Sequence, residues 1–258
     1  MPARAGLIVT DKKTIKPSHR RIWFAAPLVL LALVLLIALG TWQVKRMYWK
    51  EALLADIQQR TQAPAAPLAQ IEAMAASGGD IEYRTVTVSG TFDHAKEQHF
   101  FATFQGQTGY YIYTPLHLPD GRSIFVNRGF VLYDMKEPAK RAAGQVPGVV
   151  TVQGLARARL DAKPSSLLPE NDMIKNIYYW KDLSAMAGSA GLPLGQVVPF
   201  FVDADTTPNP GGWPKGGVTL IDLPNNHLQY AITWYGLALA LVIVVGFAYV
   251  RGRRNSRG

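Results

Sequence analysis

The chain has 258 residues, contains no cysteine and carries a formal net charge of +9. The lack of cysteine excludes disulfide bonds, metal–thiolate sites and CxxC redox chemistry. All of the excess charge lies in two short tails, because residues 43–227 contain 17 basic and 17 acidic residues. This distribution excludes the basic folded face of a nucleic-acid-binding domain, so no nucleic-acid partner is expected.

Two uncharged apolar segments, 22–42 and 228–250, predict transmembrane helices. About 20 helical residues cross the ~30 Å hydrocarbon core of a bilayer, so both segments are long enough. Trp23 and Trp42 bracket the first segment, as aromatic residues do at membrane interfaces. The alternatives are a cleaved signal peptide for the first segment and a buried core helix for the second. The length of the first run and Arg251 directly after the second argue against them.

The two basic tails predict the orientation of the chain. Residues 1–21 have a net charge of +5 and residues 251–258 a net charge of +4. The positive-inside rule therefore predicts that the protein lies in the cell inner membrane with both termini in the cytoplasm, or in the mitochondrial inner membrane with both termini in the matrix. Lys45, Arg46 and Lys50 oppose this locally, but the tails outweigh them. The domain over 43–227 is expected on the periplasmic, outer side.

This outer domain is predicted to be β-rich. Residues 43–62 are expected to continue the first helix until Pro64 and Pro67, with one further short helix at most before Gly78. A short helix is predicted over 183–187, and Pro119-Asp120-Gly121 predicts a hairpin turn. Strands are predicted over 83–88, 98–104, 109–113, 123–131, 149–152, 177–180, 200–202 and 218–221. The pattern predicts a membrane protein of the α+β class, with two transmembrane helices flanking an antiparallel sheet or partly closed barrel.

Few polar residues of this domain indicate chemistry. Strand spacing puts His94 and His99 on opposite faces, which argues against a metal site shared by the two. His94, His99 and His117 are expected to be surface or turn residues. Gly129 is expected at a bulge or a close backbone approach. Arg128 beside it has two open interpretations, a structural turn or a contact to a partner protein. The second predicts that Arg128→Ala leaves the level of the protein unchanged. The close approach at Gly129 predicts that Gly129→Val lowers that level.

His227 lies at the outer mouth of the second apolar segment, where an ionisable side chain indicates function. On a helix, Tyr230, Ala231 and Trp234 share its face. The small Ala231 between aromatic side chains leaves room for a flat apolar cofactor, and imidazole is an axial ligand of heme iron. The alternative is an interfacial histidine that is hydrogen-bonded to lipid headgroups or to the outer domain, and the residues alone favour it.

Three sequence blocks carry a resemblance to a known family. They are Leu39-Gly40-Thr41-Trp42-Gln43, Val126-Asn127-Arg128-Gly129-Phe130, and Asn225-Asn226-His227-Leu228-Gln229-Tyr230-Ala231-Ile232-Thr233-Trp234. In this order, with the first and last at membrane boundaries, they resemble the Surfeit locus one family, the assembly factors of heme–copper terminal oxidases. The resemblance covers most of the chain. Leu132 departs from it, because the family often has proline there.

The resemblance implies a non-enzymatic role in building cytochrome c oxidase. It implies that heme a is the bound cofactor, with His227 as the iron ligand. Partners would be the heme a synthase, the oxidase catalytic subunit and membrane lipid. The candidate heme contacts are Tyr230, Ala231, Trp234 and Trp42, with Arg46 or Lys45 pairing with the propionates. The alternatives are a scaffold that holds nascent oxidase subunits without heme, and a heme-modifying enzyme, which would need more intramembrane histidines.

Overall fold

The computed structural model describes residues 19–219, 221 and 224–255, with side-chain environments from residue 26 to residue 254. Residues 1–18 and 256–258 of the predicted tails, and Leu220 of a predicted strand, lie outside these residues. The described helices are α1 (His19–Gln62), α2 (Leu68–Ala76), α3 (Leu183–Ser189) and α4 (His227–Asn255). The described strands are β1 (Ala66–Pro67), β2 (Thr85–Phe92), β3 (Gln98–Phe104), β4 (Gln107–His117), β5 (Ser123–Leu132), β6 (Val149–Ala158) and β7 (Val197–Ala204).

Two long helices, α1 and α4, contain the predicted membrane segments. Within the described residues, Ala26–Gln62 and His227–Arg254 are long and apolar enough to cross a bilayer. The helix α1 continues without a break to Gln62, as the Ala- and Gln-rich sequence predicts, and ends before Pro64. The fold class is confirmed: two candidate membrane helices flank, in sequence order, a β-rich domain. The chain divides into two compact units, one of α1 up to Leu53 with α4, the other over Leu54–Leu223.

The described strands of the second unit form one sheet in the order β1-β2-β6-β7-β5-β4-β3. An additional antiparallel pairing joins β2 to β4 through Thr91–His117 and Phe92–Leu116. This pairing closes β2, β6, β7, β5 and β4 into a barrel, which confirms the prediction of a partly closed barrel. It also requires a close approach, because a Cβ on Gly90 would overlap the carbonyl oxygen of His117.

Apolar residues pack on both faces of the central strand β5, which is buried at nine consecutive positions. Ile124 and Val126 belong to a core that includes Ile71 of α2. Phe125, from the other face, belongs to a second core that includes Met186 of α3. A strand buried on both faces is expected to be continuously hydrophobic rather than alternating, and this explains the apolar runs 124–126 and 130–132 of β5, on either side of the buried polar Asn127 and Arg128.

The structure differs from the predicted strand pattern in three respects. The sheet is mixed, because β5 and β7 pair in parallel, as does the short β1 with β2. The segment 177–180 contributes only isolated bridges, at Ile177 and Tyr178, and not a strand. Val218 and Thr219 are not in a strand either. In both segments β-forming side chains are buried or half-buried without a neighbouring strand to complete a ladder, so burial and not pairing accounts for their composition.

Candidate functional site

His227 is the first residue of α4, and its side chain is half-buried in the helix pair. Its Nδ1 lies 2.6 Å from the amide oxygen Oε1 of Gln43 on α1. An amide oxygen only accepts hydrogen bonds, so Nδ1 carries the proton and donates it. In the neutral imidazole the other ring nitrogen, Nε2, then keeps its lone pair, and it has no hydrogen-bond partner among the described residues. This tautomer suits an imidazole that binds a metal through Nε2.

Small residues allow α1 and α4 to pack closely enough for this contact. Ala231 and Ala238, one heptad apart on α4, are 2% and 6% exposed. Gly40 of α1 is buried, and a Cβ on it would lie 2.8 Å from the ring of Tyr235. Small side chains at a helix–helix interface let the backbones approach, as is common for membrane helices. A hydrogen bond of 3.0 Å between the hydroxyls of Thr41 and Tyr235 also joins the helices.

The structure brings only some of the predicted heme-contact residues together. Tyr230 and Trp234 lie within about 60° of His227 around α4, on the flank beside the helix contact, and Tyr230 is exposed. Ala231 is only 2% exposed, so its small side chain is covered by the protein itself and offers little surface to a cofactor. Trp42 is exposed and lies about 200° around α1 from the buried Gly40, which places it away from α4.

The predicted cationic residues lie on α1 within the next turn. Lys45 and Arg46 are exposed, and the guanidinium of Arg46 stacks over the ring of Trp49, 4.2 Å from its centroid. The Nζ of Lys50 donates a hydrogen bond to the carbonyl oxygen of Pro224, just before α4. Two cations therefore remain accessible near the His227–Gln43 pair, and the third holds the loop that enters α4.

Sequence reasoning missed Gln43 as a site residue. It lies in the Leu-Gly-Thr-Trp-Gln block, directly after Trp42, whose aromatic ring was a predicted heme contact. The available signal was a polar amide directly after the apolar segment 22–42. Its partner, 184 residues away in the chain, is given only by the packing of α1 on α4.

Arg128 of β5 forms a second polar cluster, inside the barrel domain. Its side chain is 2% exposed, and Nη2 donates to the carbonyl oxygen of Gly144 and to Oδ1 of Asn209, the latter at 3.0 Å. Nη1 lies 3.3 Å from Nδ1 of His94, and the guanidinium stacks over the ring of Phe92. Burial lowers the pKa of Arg128 to about 10. A side chain this buried holds the surrounding loops together, which favours the structural interpretation of Arg128 over a contact on an open protein surface.

His94 and His99 are also more buried than predicted. His94 is half-buried; its Nε2 donates to the carbonyl oxygen of Val146 at 3.0 Å, and burial lowers its pKa. His99 is 6% exposed and lies 3.0 Å from Oε1 of Glu97. Glu97 also receives two hydrogen bonds from the buried Arg141. Burial raises the pKa of Glu97, but the bonds from His99 and Arg141 outweigh it and the pKa is lowered. The expectation of a surface or turn residue is confirmed for His117, which is exposed at the end of β4, and for the turn position of His94, but it is wrong for His99, whose ring is buried against Glu97.

These features define a membrane protein of the α+β class. Two candidate spans flank a barrel domain along the chain, and a histidine is the first residue of the helix that contains the second span. The model of the SURF1 family matches residues 30–239, which include most of α1, the whole barrel domain and the first part of α4. Surfeit locus protein 1 of Rattus norvegicus is 39% identical over 218 residues, covering 78% of this chain and 68% of the relative. Surfeit locus protein 1 of Homo sapiens is 34% identical, covering 97% and 85%. A SURF1-like protein of Monosiga brevicollis is 35% identical, covering 86% and 87%. The chain belongs to the SURF1 family.

Proposed function

We propose that this protein is a non-enzymatic assembly factor of a heme–copper cytochrome c oxidase, which binds heme a beside α1 and α4 and presents it to the oxidase catalytic subunit. The observation that carries the proposal is the His227–Gln43 pair, which leaves Nε2 of His227 with a free lone pair at the end of a membrane helix. Family membership supports the oxidase, and the motif around His227 resembles the heme a-binding members.

The side chains near His227 fit a large apolar cargo with acidic groups. Tyr230 and Trp234 offer aromatic surface on the same flank of α4 for the macrocycle. Lys45 and Arg46 remain accessible for charge-assisted hydrogen bonds to the propionates. The iron–imidazole bond would set the orientation, and apolar burial at ~25 cal/mol per Å² would supply much of the affinity.

The proposed orientation follows from the charge pattern. By the positive-inside rule the basic tails favour cytoplasmic termini, and the His227 end of α4 would then face the periplasm or the intermembrane space. Heme a would come from the heme a synthase and pass to the catalytic subunit within the same membrane. The protein makes and breaks no covalent bond of the cargo, so retention and release depend on axial ligation and on burial.

Heme content tests the proposal. The wild-type protein and the variants His227→Ala, Gln43→Leu and Trp234→Ala are purified from cells that make heme a, and their absorption spectra are compared. The wild type is expected to carry heme a. His227→Ala should lose axial ligation and shift the spectrum. Gln43→Leu should keep the ligation but bind about 10–100-fold more weakly, the usual effect of removing the group that orients a metal-bound histidine.

Ile232→Ala provides the matched control, because Ile232 is exposed on a different face of the same helix turn. Its heme content should equal that of the wild type, and Trp234→Ala should bind less heme with an unchanged ligation spectrum. Unaltered heme content and spectrum in His227→Ala would rule out His227 as the ligand. A wild type that supports oxidase assembly without ever carrying heme a would establish the scaffold alternative instead.

A further inference from the structure

A cavity of about 190 Å³ opens on the barrel domain, between β6 and the loop that follows β7. Val150–Gln153 of β6 line one side, and Ala204 to Pro210, apart from Thr206, line the other. A buried water needs only ~10–15 Å³, so the cavity is far larger than a hydration site. It is smaller than the ~300–1,000 Å³ pockets that hold drug-sized ligands, and a heme macrocycle is therefore excluded. The size suits a group of a few heavy atoms.

Arg128, which forms part of the wall of this cavity, has no charged partner. Its acceptors are a carbonyl oxygen, an amide oxygen and a neutral imidazole nitrogen. No carboxylate among the described residues lies within ion-pair distance of its guanidinium. The buried Arg141 provides the contrast, because Glu97 neutralises it through two hydrogen bonds. Burying an unpaired charge is costly, so Arg128 is a site where an anion would be stabilised.

The hydrogen bonds of Arg128 are also incomplete. A guanidinium has five N–H donors, and three of them have an acceptor in the structure. The Nε atom is buried and has no hydrogen-bond partner among the described residues. Most buried polar atoms in proteins are hydrogen-bonded, so the described residues leave this cation incompletely satisfied as well as without a counter-charge.

The rest of the cavity lining indicates the chemical character of the group that would be attached to a bound anion. Most of it is apolar, with Phe92, Val146, Val150, Val152, Ala204, Pro208 and Pro210 on the wall. Asp205 is also present, but its Oδ1 accepts the backbone N–H of Thr207 at 2.9 Å and is held by the loop. A planar carboxylate matches a guanidinium better than a spherical anion does, and an apolar body matches the remaining wall.

We propose that this cavity binds a carboxylate attached to a small apolar group, with Arg128 as its counter-charge. The carboxylate belongs either to a free short-chain acid or to the C-terminus of a protein chain ending in an apolar residue. This site is separate from the helix pair and does not depend on the proposed heme function.

Binding is tested on the full-length protein in detergent with butyrate and its neutral analogue butyramide, at constant ionic strength. The probe of the site is the Nε–H signal of Arg128 in protein labelled with ¹⁵N-arginine, together with calorimetric titration. Butyrate should bind saturably and shift this signal, and butyramide should do neither. A tripeptide ending in valine, with a free or an amidated C-terminus, distinguishes the two sources: preference for the free-terminus peptide over butyrate identifies a chain terminus.

Gln153→Trp fills the cavity without removing Arg128, because Gln153 is an exposed residue of its lining. Val149→Trp is the matched control, since Val149 is exposed on the same strand and does not line the cavity. Gln153→Trp should weaken butyrate binding by at least about tenfold, equal to ~1.4 kcal/mol, and Val149→Trp should leave it unchanged. Equal binding of butyrate and butyramide, unaltered affinity in Gln153→Trp, or no binding of any free carboxylate would overturn the proposal.

Discussion

Gly129 offers a sharp test of how the barrel domain is held together. It has a φ of +130°, and a Cβ at this position would overlap the backbone carbonyl oxygen of Lys215. Backbone strain of this kind costs ~1–3 kcal/mol for a residue with a side chain. The overlap also forces apart the two hydrogen bonds between Phe130 and Lys215, of 2.8 and 2.9 Å. At ~0.5–1.5 kcal/mol each, their loss adds ~1–3 kcal/mol. Gly129→Ala should therefore lower the free energy of unfolding by about 2–6 kcal/mol.

Gly121 is the matched control, because it has a φ of +85° in the turn between β4 and β5 and has open space where a Cβ would lie. Gly121→Ala should cost only the backbone strain, about 1–2 kcal/mol. Urea unfolding of the full-length proteins in detergent, followed by tryptophan fluorescence, measures both changes. Trp213 packs in the same cluster as Phe130 and reports on this region. Equal losses of stability in the two variants would show that the close approach to Lys215 contributes nothing, and would refute the reasoning.

Three further predictions concern the buried charges and the topology. Arg128→Ala should destabilise the domain by about 2–5 kcal/mol, because it leaves buried acceptors unpaired, and the urea midpoint would show this; an unchanged midpoint would restore the partner-contact interpretation. The pKa of Glu97 is lowered in the folded protein. Its ionised carboxylate therefore contributes fully to the free energy of unfolding above the ordinary glutamate pKa of about 4.3, and this contribution is lost as the pH falls below that value. The difference in stability between wild type and Glu97→Gln should therefore narrow on acidification, and a constant difference would contradict the pKa shift. Reporter fusions at residues 10 and 258 should read cytoplasmic and one near Gly211 periplasmic, whereas an outer-facing C-terminus would end the proposed two-span topology.

The amino-acid sequence determined those features that depend on neighbours in the chain. Uncharged runs of more than 20 residues predict the spans in α1 and α4, because length and polarity alone decide whether a helix suits a bilayer. The Pro119-Asp120-Gly121 turn is also local: Gly121 adopts positive φ, and Asp120 accepts the backbone N–H of Arg122. The sequence also predicts a close backbone approach at Gly129, because glycine within a strand marks such places, but it does not name the segment that approaches.

The tertiary structure alone decided which distant segments meet. A strand pattern does not state its partner, so it predicted neither the parallel pairing of β5 with β7 nor that β2 and β4 are the strands that close the barrel. The sequence left two interpretations of Arg128 open, a structural turn and a contact to a partner protein, and only the tertiary structure shows that its side chain is buried. Likewise, Gln43 becomes the partner of His227 because small residues let α1 and α4 pack closely. Periodicity reports how buried each residue of one element is, whereas the groups that satisfy a buried charge or orient an imidazole come from elements far away in the chain.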